Sequence, residues 1–127
     1  MLIPKVKICG ITNLEDAEFA ISLGADLLGF NFYPESPRYI KPAEAAKIIN
    51  KLPAFMRIVG LFVNAEFDHI RGAMDECYMN WLQFHGDETP EFCESFSDLN
   101  VLTIKAIRVK DYSDIKSAEQ YYTDAIL

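Results

Sequence analysis

Apolar residues along this chain fall into short dense runs, separated by longer stretches in which they recur every three or four positions. The runs predict strands over Lys5–Ile11, Asp26–Phe32, Arg57–Val63, Trp81–His85 and Val101–Ile107, with a sixth starting near Asp124. The stretches between them predict helices over Leu14–Leu23, Ala43–Lys51, Asn64 to about Tyr78, Pro90–Ser95 and Tyr112–Tyr122. Local chemistry supports the helix starts. Thr12 with Glu15 fits a capping box, although Asn13 serves equally as the cap; Asn64 and Thr89 are good N-caps. Pro42 and Pro90 sit where a missing N–H costs least, and Gly24 fits a C-terminal stop.

Strand and helix patterns alternate throughout, which implies βαβ units and a parallel sheet. The second and third strands are apolar on both faces, as expected where helices cover the sheet. No Gly-x-Gly-x-x-Gly follows the first strand and no P-loop occurs, which disfavours the nucleotide-binding α/β folds. An eight-stranded parallel (β/α) barrel of the TIM type remains, with its chemistry at the C-terminal ends of the strands. Such barrels take about 250 residues, and at least about 200, whereas this chain has 127. The expectation is therefore a single partial barrel domain over residues 1–127: five βα units and the start of strand six, a fragment or truncated product.

Composition narrows the function classes. Half the residues are hydrophobic, enough for a core, and the net charge is -7. The acidic residues are spread along the chain, which argues against nucleic acid as a partner, since phosphate binding needs concentrated Lys and Arg. One local site for a small anion is still compatible with that charge. The three cysteines, Cys9, Cys77 and Cys93, show neither CxxC nor zinc-finger spacing, so reduced thiols in a cytoplasmic protein are expected. The N-terminus lacks the apolar core of a signal peptide, and no apolar run matches a membrane span.

The candidate chemistry gathers at the strand ends. Lys7 and Cys9 alternate onto one face of the first strand, and Gly10 allows the turn that follows. A nearby ammonium lowers a thiol pKa from about 8.5 and makes the reactive thiolate accessible. A buried, inert cysteine beside a snorkelling lysine is the other reading of the same pair. Arg38 lies in the loop after strand two, Gln83 and His85 share a face of strand four, and Thr103 and Lys105 share a face of strand five. Polar groups ending otherwise apolar strands need partners, which a ligand cavity supplies. Arg38 in a solvated loop, His85 as a structural imidazole and Lys105 paired with an acid inside the barrel are the alternatives. Cys77 and Cys93 fall at apolar helix positions and suit packing. Glu15 and Asp16 suit the positive end of a helix dipole.

These same residues carry a family resemblance. Lys7-Ile8-Cys9-Gly10-Ile11-Thr12 resembles the opening motif of the N-(5'-phosphoribosyl)anthranilate isomerases of tryptophan biosynthesis. The resemblance continues, in order, through the stretch from Gly29 to Ile40, Val59-Gly60-Leu61-Phe62-Val63-Asn64 and Leu82-Gln83-Phe84-His85-Gly86-Asp87-Glu88. It implies a (β/α)8 barrel and an Amadori rearrangement that turns an aldosylamine into a 1-amino-1-deoxyketose. The position of Cys9 is then the general base, that of Arg38 holds the anthranilate carboxylate, and His85 lines the pocket with Gln83 and Lys7 nearby. No cofactor or metal is implied. The partner is a small phosphorylated substrate, with neither nucleic acid nor membrane.

The resemblance also implies what these 127 residues lack. The family's general acid is an aspartate ending strand six, which by register falls two residues past Leu127, and the phosphate loops follow strands seven and eight. Asp124 precedes strand six and is expected at the opposite rim. A non-catalytic half-barrel that pairs through its open edges, with itself or a C-terminal partner, is a second reading. An indole-glycerol-phosphate synthase type of barrel is a third, disfavoured because that class usually places lysine at the first strand where Cys9 stands.

Overall fold

A computed structural model describes residues 2–127. Among these residues six strands, β1 (Lys7–Cys9), β2 (Leu27–Asn31), β3 (Arg57–Phe62), β4 (Trp81–Phe84), β5 (Leu102–Lys105) and β6 (Ala125–Ile126), alternate with five helices. The helices are α1 (Leu14–Ser22), α2 (Pro42–Ile49), α3 (Phe67–Glu76), α4 (Pro90–Glu94) and α5 (Tyr112–Ala118). The strands form one sheet in sequential order, and every neighbouring pair is parallel. Among the described residues, β1 and β6 each pair on one side only.

The ladder register sorts side chains into two layers, because aligned residues of neighbouring strands point the same way. Leu28 aligns with Ile58, Gly60 with Leu82, and Phe62 with Phe84. Leu28, Ile58, Leu82, Phe62 and Phe84 pack with Ala17, Ala45, Ile70, Cys77, Cys93 and Phe96 in the main apolar core, so this layer faces the helices. Phe84 meets Phe92 and Phe96 of the α4 region at ring distances of 5.9 and 5.4 Å, and Phe96 meets Phe67 of α3 at 4.7 Å. Full burial of Phe84 and of Phe96 stabilises the fold by roughly 1.5–3 kcal/mol each. The opposite layer holds Cys9 aligned with Gly29, and Gln83 aligned with Leu61 and Ile104.

Helix starts follow the capping chemistry with one exception. Asn13, rather than Thr12, caps α1, its Oδ1 accepting the Asp16 amide at 2.8 Å. Thr89 caps α4, and Pro42 occupies the first turn of α2. Asn64 does not cap α3. That helix starts at Phe67 with Glu66 at its N-cap, while Asn64 stands in the left-handed region at φ 50°. Asparagine tolerates that conformation, and here its side chain accepts the Asp87 amide at 2.7 Å instead. The last predicted helix stops at Ala118, short of Tyr122. No helix among the described residues is long and apolar enough to cross a membrane.

Candidate active site

Lys7 and Cys9 lie on the layer turned away from the helices, and Lys7 gives the clearest proof of its direction. Its Nζ donates to Oε1 of Gln83 on β4, three strands away, which requires the two side chains to meet across the concave interior. Gln83 is sealed from water, and its Nε2 lies 3.3 Å from Nδ1 of His85. Burial pushes the Lys7 pKa below 10.5, and negative charge at the Cys9 sulfur opposes that shift. Burial also pushes His85 below 6.5, helped by the positive charges of Lys105, Lys7 and Arg108 and opposed by Glu88.

Cys9 is half-buried, and space for its sulfur comes from the neighbouring strand. A Cβ on Gly29 would stand 2.9 Å from Cys9 Sγ. Arg38 arrives from the loop after β2. Its Nη1 donates to the Cys9 carbonyl at 2.9 Å, and the rest of its guanidinium is exposed. Gly10 makes that approach possible twice over. Its φ is +92°, and a Cβ there would lie 2.5 Å from Arg38 Cδ. The loop itself is shaped by Asn31, which the sequence motifs did not single out. Buried at the end of β2, Asn31 accepts the Tyr33 amide at 2.9 Å and donates to Ser36 Oγ at 3.0 Å, and Ser36 Oγ in turn accepts the Arg38 amide.

Lys105 and Thr103 are not part of this interior. Lys105 aligns with Phe84, so both point towards the helices. Its Nζ donates to the Gly86 carbonyl at 2.6 Å, pairs with Glu88 at 3.2 Å and lies 5.6 Å from the Tyr121 ring centroid. The acid partner expected for Lys105 exists, but in the helix-facing layer. Thr103 donates its amide to Asp124 at 2.8 Å. Glu88 was visible in the sequence only as the end of a motif; in the fold it also accepts the Asn64 and Gly86 amides at 2.7 and 2.8 Å. The loop carrying His85 is thereby fixed from below. A Cβ on Gly86 would collide with the Asn64 side chain and come within 2.9 Å of its backbone nitrogen, so glycine is the residue that lets these two loops touch.

The geometry thus brings the five predicted site residues into two bonded groups: Lys7, Gln83 and His85 across the interior, and Cys9 with Arg38 at the end of β1. A cavity of about 570 Å³ opens at the rim beside His85, bounded by Lys105, Arg108 and Lys110, and Cys9 and Arg38 lie outside its lining. Cys77 and Cys93 are buried in the helix-facing core, and burial pushes both thiols up to about 11. Among the described residues no group of three or more His, Cys, Asp or Glu is placed to hold a metal ion. The arrangement offers a half-buried thiol, a cation with most of its donors free, and an imidazole held near neutrality in charge.

Residues 6–127 match the sequence model of the family described as N-(5'phosphoribosyl)anthranilate (PRA) isomerase. The N-(5'-phosphoribosyl)anthranilate isomerase of Geotalea uraniireducens is 52% identical over 117 residues, which are 92% of this chain and 56% of that protein. The crystal structure of phosphoribosyl anthranilate isomerase from Thermotoga maritima superimposes with a TM-score of 0.87 at 45% identity, covering 91% of this chain and 56% of that one. A structure of phosphoribosyl anthranilate isomerase in complex with reduced 1-(o-carboxyphenylamino)-1-deoxyribulose 5-phosphate gives 0.88, again at 45% identity, covering 91% of this chain and 59% of that one. The chain therefore spans little more than half the length of the relatives it matches.

Proposed function

Because this chain belongs to the N-(5'-phosphoribosyl)anthranilate isomerase family, we propose that it carries the base and carboxylate-binding half of an active site for the Amadori rearrangement of N-(5'-phosphoribosyl)anthranilate in tryptophan biosynthesis. In that reaction an acid protonates the ribose ring oxygen, the ring opens to a Schiff base, and a base removes the proton at C2'. The enolamine so formed tautomerises to 1-(o-carboxyphenylamino)-1-deoxyribulose 5-phosphate. Cys9 is the base in this reading. A thiolate is a soft, weakly hydrated base whose ordinary pKa lies within reach of neutral pH. Arg38 takes the anthranilate carboxylate, a planar anion matched by a planar fork of donors. His85 contacts the substrate from the rim, with Gln83 and Lys7 beneath it. The reading invokes neither cofactor nor metal.

The observation that carries this reading is the bond from Arg38 Nη1 to the Cys9 carbonyl. It ties the candidate anchor to the backbone of the candidate base, so the remaining guanidinium N–H groups stand at the same strand end as the thiol. Positioning of this kind converts binding energy into rate.

We propose further that these 127 residues alone are inactive, because the family's acid and phosphate loops lie outside them by register. A positioned acid–base group contributes roughly 10²–10⁴ in rate, and the non-reacting phosphate supplies binding energy that orients the ribose. The test follows loss of fluorescence of phosphoribosylanthranilate generated in situ. The chain alone is expected to give no turnover, and turnover is expected once the C-terminal segment of a relative is fused or added. In that complemented enzyme, Cys9→Ser lowers kcat far more than it raises KM. Full kcat in the Cys9→Ser enzyme overturns the assignment of the base.

A further inference from the structure

Lys7, Gln83 and His85 form an unbroken line from the floor of the interior to the rim. The direction of each bond in that line is decided by chemistry. An ammonium has three donors and no acceptor, so the atom it meets on Gln83 is the amide oxygen. The other end of the amide, Nε2, carries only hydrogens, and it faces Nδ1 of His85 at 3.3 Å. An N–H group directed at a ring nitrogen needs a lone pair there. Nδ1 is then the unprotonated nitrogen, and the single ring proton of the neutral imidazole resides on Nε2. Gln83 is only 1% exposed, so its amide is held between these two partners, while His85 itself stands exposed at the rim.

We propose that Lys7 and Gln83 are positioning residues that hold His85 as the neutral Nε2–H tautomer, so that the imidazole presents a hydrogen-bond donor at the rim. In the functional reading given above, on which this role in substrate contact rests, that donor suits an oxygen of the sugar or of its open-chain form. Protonation of the ring would set Nδ1–H against the amide N–H and break the line. The charged groups facing the ring favour the neutral form: Lys7 from β1, Lys105 from β5 and Arg108 from the segment after it, against Glu88 from the β4–α4 loop.

The test is long-range ¹H–¹⁵N correlation NMR on the uniformly labelled, substrate-free chain. The sequence has two histidines, so His69→Gln identifies the His85 signals. Above its pKa, His85 is expected as one tautomer, with a protonated Nε2 and an unprotonated Nδ1. A free imidazole populates both tautomers, so the variants discriminate. Gln83→Glu replaces the donor at Nδ1 with a carboxylate oxygen; the proton is expected to move to Nδ1 and the pKa to rise. Lys7→Met frees the amide to rotate, and a fraction of Nδ1–H is expected to appear. Lys7 is half-buried, so this second variant gives a readout if Gln83→Glu fails to fold. A substantial Nδ1–H population in the unmodified chain overturns the proposal, as does an unchanged tautomer and pKa in the folded variants. These readouts need no substrate. Failure of isomerase activity leaves them untouched, and a wrong tautomer leaves the assignment of Cys9 untouched.

Discussion

Lys105 and Glu88 form an ion pair at 3.2 Å with both side chains almost wholly removed from water, at 2% and 3% exposure. Neither charge is satisfied by the other alone. Lys105 also donates to the Gly86 carbonyl, and Glu88 also accepts the Asn64 and Gly86 amides. Replacing Lys105 by Met leaves a buried carboxylate without its counter-ion. Removal of one partner of a buried pair typically costs about 3–5 kcal/mol. Urea unfolding of Lys105→Met is expected to show a loss of that order. A variant within about 0.5 kcal/mol of the parent would mean that the two backbone amides suffice for Glu88.

The three thiols are expected to separate sharply by reactivity. Cys77 and Cys93 lie in the apolar core, and burial pushes both up to about 11, whereas Cys9 is half-buried at the open end of β1. Alkylation with iodoacetamide near neutral pH, read by peptide mass, should therefore modify Cys9 first. Equal labelling of all three in the folded chain would contradict the described packing. The same shifts predict alkaline sensitivity. An unfolded thiol loses its proton near 9 while the folded one keeps it to about 11. The native state thus binds more protons in that window, and stability falls as pH rises from about 9 towards 11. Cys77→Ala with Cys93→Ala should flatten that part of the curve.

Gly10 is the hinge of the β1 end. Ala at this position adds a Cβ to a backbone at φ +92° and drives it into Arg38. The left-handed conformation costs a non-glycine residue roughly 1–2 kcal/mol, and the clash displaces Arg38 from the Cys9 carbonyl. Gly10→Ala is expected to lower the urea midpoint and to weaken binding of anthranilate in a complemented enzyme more than Gly24→Ala does. Gly24 has a similar φ of +90° but open space around it, so it isolates the backbone cost from the clash.

His85 should titrate below 6.5, because burial and three cations disfavour its charged form. The unfolded state then binds the proton more readily than the native one. Its contribution to stability is complete above about 6.5 and is lost as pH falls from there through the lower native pKa. Proton NMR of the imidazole ring reads this directly, and a value at or above 6.5 would contradict the environment described. Lys105→Met should move the value up by removing one of those cations.

The order and type of every strand and helix were legible because apolar runs such as Leu27–Asn31 and Ile58–Phe62 leave little choice once both faces must be covered. What could not be read was the face. In β5, alternation pairs Thr103 with Lys105, but nothing in the chain says whether that pair points inward or towards the helices. The ladder with Phe84 decides it, and that is a contact across 21 residues. A lysine at a strand end looks like an active-site group until its acid partner, buried in the loop before α4, is located. Asn64 misled for a related reason. Asparagine suits both a helix cap and a left-handed turn, and the choice fell to Gly86, whose missing side chain lets the turn contact Asn64. Asn31 sat inside an apolar strand with no local signal of the loop it organises.

Helix α5 has no buried residue and is held at its start by a capping box between Asp111 and Asp114. Beyond its end, Tyr121 roofs the ammonium of Lys105 and donates its hydroxyl to the Glu88 carbonyl at 2.8 Å. A helix with so little apolar anchorage belongs among the parts of a protein that open and close without global unfolding. Its amides should exchange with deuterium far sooner than those of β2 and β3. Tyr121 lies beyond the helix end and packs against the main core, so the roof over the Lys105–Glu88 pair does not depend on α5. The most weakly anchored helix thus opens while the dielectric around Lys105 and Glu88 stays low.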